Sequence, residues 1–227
     1  MGLLLLLPAC DAKNDQPSPS APPTLVADTT PILNPDKPEQ IFTAVCTACH
    51  GPNGEGNREL NAPSIAALPT YYSTNQLRKF QNDIRGAEPG DDTGAQMRAI
   101  AHSLPADAID PLADHIAALP RVPTQNTLGG NPEPGKNYFE WYCAECHRIN
   151  GSGELFFGSP PLIGLPDWYL AAQIKKFQSG LRGVHPDDVN GKKMLIPSER
   201  LLTEQEIKDL LAYIAVLAEK YQPKPKR

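Results

Sequence analysis

Cys46-Thr-Ala-Cys49-His50 and Cys143-Ala-Glu-Cys146-His147 are the two stretches from which the rest of the 227-residue chain is read. Each places two thiols one helical turn apart with a histidine immediately after, the attachment signature of a c-type haem. The spacing serves the chemistry: the thiols add to the two vinyl groups of one porphyrin, and the adjacent imidazole turns onto the iron as proximal ligand. Cys-x-x-Cys alone also fits a redox dithiol or half of a zinc site. Two copies, each followed by His in a matching context, favour covalent haem over both, and over a disulfide framework.

The motifs lie 97 residues apart. Sliding the chain on itself by that offset matches residues 46–97 to residues 143–194 at 20 of 52 positions. Asn53, Gly54, Gly56 and Pro63 fall on Asn150, Gly151, Gly153 and Pro160. Tyr72 and Gln76 fall on Tyr169 and Gln173, Lys79-Phe80-Gln81 on Lys176-Phe177-Gln178, and Arg85-Gly86 on Arg182-Gly183. The chain is therefore a duplication, two tandem domains over residues 38–120 and 135–221 joined by a linker at 121–134.

The repeat also selects the sixth iron ligand. Met97 and Met194 each follow their haem histidine by 47 residues, and the third methionine of the chain is Met1. A lone buried Met is ordinarily core filling; two at one spacing point to axial ligation, which raises the potential by favouring the ferrous form.

Each half reads as a small all-helical unit. Asp36-x-x-Glu39 around Pro38 looks like a helix start. A second helix follows Tyr72, with Leu77, Phe80 and Ile84 on one face, and its partner carries Leu170, Ile174, Phe177 and Leu181 at the same three-and-four spacing. Thr203-x-x-Glu206 is a capping box opening a last helix through Ile207, Leu210, Leu211, Ile214 and Leu217. In the first half Pro111 makes the equivalent helix kink or start late. The segments ending in Met97 and Met194 read as irregular loops lying across one haem face. Arg85 and Arg182, at matching helix ends, are candidates for neutralising a haem propionate through their fork of donors. A helix-terminal cation serving the dipole is the plainer alternative. His102, His115 and His185 have no counterparts in the repeat and read as packing or surface residues.

The composition excludes several classes. Apolar residues at 40% and charged ones at 21% fit a folded protein. No run approaches the roughly 18–20 apolar residues of a membrane span. A net charge of -5 leaves no footprint for nucleic acid. It is unevenly shared: residues 38–121 hold 10 acids against 6 bases, residues 133–227 hold 12 against 13. Residues 1–10, Met-Gly, five Leu, Pro-Ala-Cys, resemble the end of a lipoprotein signal with Cys10 as the lipidated residue. Residues 11–37 read as a Pro-rich tether able to reach ~80 Å when extended, and 222–227 as a basic tail.

With paired haem motifs, equally spaced methionines and the string Tyr-x3-Gln-x2-Lys-Phe-Gln-x3-Arg-Gly in both halves, the chain resembles the dihaem cytochrome c4 family over residues 38–219. The resemblance implies two class I cytochrome c domains related by a pseudo-twofold axis. It also implies two haem c groups, held by Cys46, Cys49, His50 and Met97 and by Cys143, Cys146, His147 and Met194. It implies a periplasmic electron carrier between a quinol-oxidising cytochrome bc complex and a haem-copper oxidase or another reductase. The Cys10 signal and the tether depart from soluble members and imply attachment to the membrane. Two rivals follow from the same residues: a haem-bearing subunit of a larger oxidoreductase, and a dihaem peroxidase, which would need an open iron position.

Overall fold

A computed structural model describes residues 33–123, 125–200 and 203–221. Cys10, most of the Pro-rich segment and the basic tail lie outside the described residues. Within them the chain is helical, and the bridges Asn57–Ala62 and Glu154–Ser159 are its isolated pieces of extended pairing.

Each half begins with one helical entry. In the first, α1 (Pro38–Ile41) runs through a π-helical stretch (Phe42–Cys46) into α2 (Thr47–His50). In the second, α6 (Pro132–Tyr138) runs through Phe139–Cys143 into α7 (Ala144–His147). The wider π turn falls on the residues leading into the first cysteine of both motifs, and such bulges occur mostly at functional sites. Pro38 opens the first entry as expected, yet Lys37 holds the N-cap position without a side-chain bond, so Asp36 caps nothing. The second entry starts inside the expected linker, where the Asn131 side chain accepts from Glu133 N.

The middle helices are α3 (Thr70–Gln81) in the first half and α8 (Asp167–Gln178) in the second. Both stop before the expected Ile84 and Leu181, which fall in the turn that follows. The last helices are α5 (Ile109–Ala118) and α11 (Glu204–Tyr221). Pro111 sits in the first turn of α5, behind a 3-10 turn at Ala106–Ala108, so this helix starts late rather than kinking. The capping box of α11 is reciprocal: Thr203 N donates to Glu206 Oε2 (2.8 Å), and Glu206 N donates to Thr203 Oγ1 (3.2 Å).

Two cores form, one per half. Ile41, Phe42, Leu104, Ala108, Leu112 and Ile116 make the first; Phe139, Leu170, Ile174, Leu210, Leu211, Ile214 and Leu217 lie in the second. Leu68 packs on both. In the second half, Gly135 lets α6 lie directly on α11, because a Cβ there would collide with the Asp209 carbonyl.

The methionine segments differ from the expected loops. Met97 lies within a regular helix, α4 (Asp92–Ser103), while Met194 stands at the joint between two short ones, α9 (Val189–Lys192) and α10 (Leu195–Glu199). The break has a local cause. Pro197 occupies the position of Ile100, and a proline in a helix interior removes a hydrogen bond and clashes with the carbonyl four residues back.

Candidate haem-binding site

The entry helix of each half delivers its Cys-x-x-Cys-His motif to a cleft floored by α3 or α8 and walled by the methionine segment. In the first half Cys46, Cys49, His50, Leu77, Phe80 and Met97 line one open, mostly apolar cleft. In the second, Cys143, Cys146, His147, Phe177 and Met194 line the corresponding hollow. In each half a methionine 47 residues beyond the motif histidine thus lines the same space as that histidine.

The histidines are set for ligation. His50 Nδ1 lies 2.8 Å from the Pro63 carbonyl, and His147 Nδ1 lies 2.9 Å from the Pro160 carbonyl. A carbonyl only accepts, so Nδ1 carries the proton and Nε2 keeps its lone pair. Burial lowers both imidazole pKa values, against the smaller opposing effect of the carbonyl bond, and favours the neutral ring.

The thiols do not look like a redox dithiol. Burial, and then the neighbouring Cys49, push Cys46 up to about 12; burial and Cys146 do the same to Cys143. Reactive dithiols work the other way, by lowering the thiol pKa. The zinc reading lacks its ligand set, since among the described residues no three His, Cys, Asp or Glu side chains gather as metal ligands.

Fit to haem can also be judged from what the protein leaves unpaired. Among the described residues, the buried side-chain polar atoms without a partner are Ser73 Oγ and Arg182 Nε. Ser73 lines the first cleft and Arg182 the second. Buried polar atoms rarely go without partners, so both orphans mark walls that a polar group completes. The clefts fit haem in their thiols, their histidine lone pairs, their apolar floors and these unpaired polar atoms.

Where the clefts meet, the repeated string is put to use. Arg85 donates to Gln76 Oε1 (2.6 Å) of its own half, and to Gln173 Oε1 (3.0 Å) and Tyr169 OH (3.2 Å) of the other. Arg182 mirrors it, donating to Gln173 Oε1 (2.8 Å), Gln76 Oε1 (3.2 Å) and Tyr72 OH (3.4 Å). Each guanidinium also covers a phenylalanine of its own half, Phe80 at 4.5 Å and Phe177 at 4.7 Å. Burial opposes ionisation of the Tyr169 phenol, yet Arg85 and Arg182 hold its pKa below the usual value. Tyr72 and Tyr169 line both clefts' walls, so the two sites share a boundary.

The two lysines cross the same boundary. Lys79 Nζ lies 2.5 Å from Asp188 Oδ1, and Lys176 Nζ pairs with Asp91 Oδ1 and donates to Thr93 Oγ1 at 2.6 Å. Asp91 and Asp188 are 2% and 1% exposed. Two guanidinium and two ammonium groups thus face two carboxylates, and the guanidinium acceptors above are all neutral. The junction has an excess of positive charge that anionic groups would balance.

The sequence reading missed Asp91 and Asp188, although Pro-x-Asp occurs at matching places before both methionines. Tyr72, Gln76, Lys79 and their partners read from sequence as repeat matches and as part of the string shared with the cytochrome c4 family, since nothing in one half shows what the other half brings to it. His102 contacts Asp83, His115 contacts the Phe42 ring, and His185 lies near Asp187; none lines a cleft.

Comparison with known proteins agrees with this geometry. The cytochrome c family model matches residues 36–120 and again 132–218. A cytochrome c4 of Azotobacter vinelandii is 35% identical over 153 residues, 61% of this chain and 70% of that protein. A thiosulfate dehydrogenase electron acceptor of Thiomonas intermedia is 31% identical over 152 residues, 63% of this chain and 67% of that protein. The crystal structure of reduced cytochrome c4 from Pseudomonas stutzeri superposes with a TM-score of 0.60 at 23% identity, covering 80% of this chain and 97% of that one.

Proposed function

Because the chain belongs to the cytochrome c family, as a tandem, c4-like member with two covalently bound haem c groups, we propose that it relays single electrons between membrane-linked redox proteins in the periplasm. The observation that carries this reading is the shared boundary: two matched sites meet across the Arg–Gln–Tyr junction instead of lying apart on a flexible linker. When bound, the haem irons supply a one-electron ferric/ferrous couple.

The protein's own residues do the rest. Cys46, Cys49, Cys143 and Cys146 fix each group to its entry helix. His50 and His147 present Nε2 because Pro63 and Pro160 hold Nδ1. Met97 and Met194, which line the same clefts as the histidines, would supply a second ligand to each iron and so would leave no position for peroxide, which ranks the peroxidase reading last. Arg85 and Arg182 would pair with propionates, which would bring the negative charge that the junction lacks.

The donor in this reading is a quinol-oxidising bc-type complex and the acceptor a haem-copper oxidase or another reductase. A second reading, of the donor alone, rests on the Thiomonas relative: a sulfur-compound dehydrogenase delivers the electrons. Anaerobic mixing of the oxidised protein with each donor system separates them. Rapid reduction by quinol plus a bc-type complex supports the first; reduction by thiosulfate plus its dehydrogenase alone supports the second. Reduction by neither, with robust peroxide turnover by the unmutated protein, overturns both. For Cys10 we propose lipidation, which would hold the tethered domains near their partners at raised effective concentration. Mass spectrometry of the mature N-terminus tests it, and an unlipidated end refutes it.

A further inference from the structure

The two carboxylates that meet the crossing lysines have another task. Asp91 is the N-cap of α4 and accepts from Gly94 N at 2.9 Å; Asp188 is the N-cap of α9 and accepts from Gly191 N at 2.8 Å. These caps start the two segments that carry Met97 and Met194, six residues further on in each case. The fit is tight: a Cβ on Gly94 or Gly191 would run into the capping carboxylate. Each lysine also sits on a helix whose other residues floor its own cleft, Phe80 beside Lys79 and Phe177 beside Lys176. So α3 floors the first site while its lysine grips the cap of the second methionine segment, and α8 does the converse.

We propose that Lys79 and Lys176 are positioning residues, each holding the methionine segment of the opposite domain through the aspartate that caps it. The inference rests on the reading of Met97 and Met194 as axial ligands. A charged donor to a buried carboxylate is stronger than a neutral one, and the crossed arrangement makes each site's ligand geometry depend on the other domain. Coupling of this kind is reciprocal. The second segment should feel it more, because Met194 has only the four-residue α9 between cap and ligand, with no regular helix to hold it in register.

The test uses the full haem-loaded chain and reads the weak red-region absorbance band of methionine-ligated ferric haem. In a Met97→Ala background the remaining band belongs to Met194. Adding Lys79→Gln there should weaken that band on warming at lower temperature and lower that haem's potential; Lys79→Arg should restore both. Lys176→Gln should act in the same way on the Met97 band in a Met194→Ala background. Asp188→Asn, which keeps a capping oxygen and loses the charge, should shift the Met194 band by itself and add nothing to Lys79→Gln. A Met194-dependent band that Lys79→Gln leaves unmoved overturns the inference alone, as does an equal effect of Lys79→Gln on both bands. A band that neither methionine variant removes overturns the axial reading beneath it.

Discussion

The two domains keep the same interior and differ in how they hold their methionine and what they show at the rim. Met97 rides in a twelve-residue helix, whereas Met194 sits where Pro197 breaks the matching helix into pieces of four and five residues. Around the second cleft Trp141, Leu155, Phe156 and Val189 are well exposed; the aligned residues of the first domain are Ala44, Arg58, Glu59 and Asp92. By contrast the junction residues, Tyr, Gln, Lys, Arg, Gly and the capping Asp, are identical in both halves. Duplication has held these crossing residues constant, while other contacts between the halves differ: Thr93, which accepts from Lys176, has Asn190 as its counterpart, and Tyr71, which donates to the Ser159 carbonyl, has Trp168.

The sharpest way to break that symmetry is to remove one crossing carboxylate. Asp188→Ala leaves the Lys79 ammonium, its side chain 10% exposed, without a partner, and should cost about 3–5 kcal/mol in chemical unfolding. Asp110→Ala, which cuts the Arg78 pair with both side chains more than half exposed, should change little. Near-equal effects would mean that the crossed pairs are ordinary surface contacts.

Grafting the second domain's break onto the first comes next. Ile100→Pro, inside α4, should cost about 3 kcal/mol or more, since it takes one bond from the helix and clashes with the preceding turn. It should also make the Met97 segment as responsive as the Met194 segment to loss of its crossing lysine. An unchanged unfolding midpoint would show that α4 owes its continuity to something other than the residue at position 100.

Smaller effects separate the ends of the domains. The reciprocal cap of α11 has no counterpart on α5, which no side chain caps. Thr203→Ala should therefore lower stability by about 1 kcal/mol, read as a shift of the thermal midpoint. The smallest change concerns the residue after each haem histidine. Gly51 takes φ +79 and ψ 159 at no cost, while Arg148 is held at φ +63 and ψ 155, a region essentially confined to glycine that costs about 1–3 kcal/mol for a residue with a Cβ. Arg148 regains part of this through its bond to Glu154 (2.7 Å). Arg148→Gly should thus leave the melting temperature equal or slightly higher, and a clear drop would show that the Glu154 bond outweighs the strain.

How much of this was legible beforehand depends on whether a residue's partner is local. The Cys-x-x-Cys-His motifs, the all-helical halves and the Thr203–Glu206 cap each depend on neighbours a few residues away, and all could be read from spacing. The matched 47-residue interval could be read because duplication supplied a second instance. The helix under Met97 is not legible as one, because Gly94 and the neighbouring Asp residues look like turn chemistry, whereas Asp91 caps a helix. The crossing of Lys79 to Asp188 was out of reach, because its partners lie 109 residues apart and neither half alone shows that the other will face it. The same holds for Arg85 and Arg182, whose repeat match was plain but whose Gln and Tyr acceptors on the far domain were not.

The central claim is that one chain carries two matched one-electron sites, each completed by its own methionine. A spectroelectrochemical titration of the wild type beside Met97→Ala and Met194→Ala tests it most directly. Two one-electron steps are expected, with each variant lowering one step by far more than the other. Two steps that neither substitution moves would contradict it.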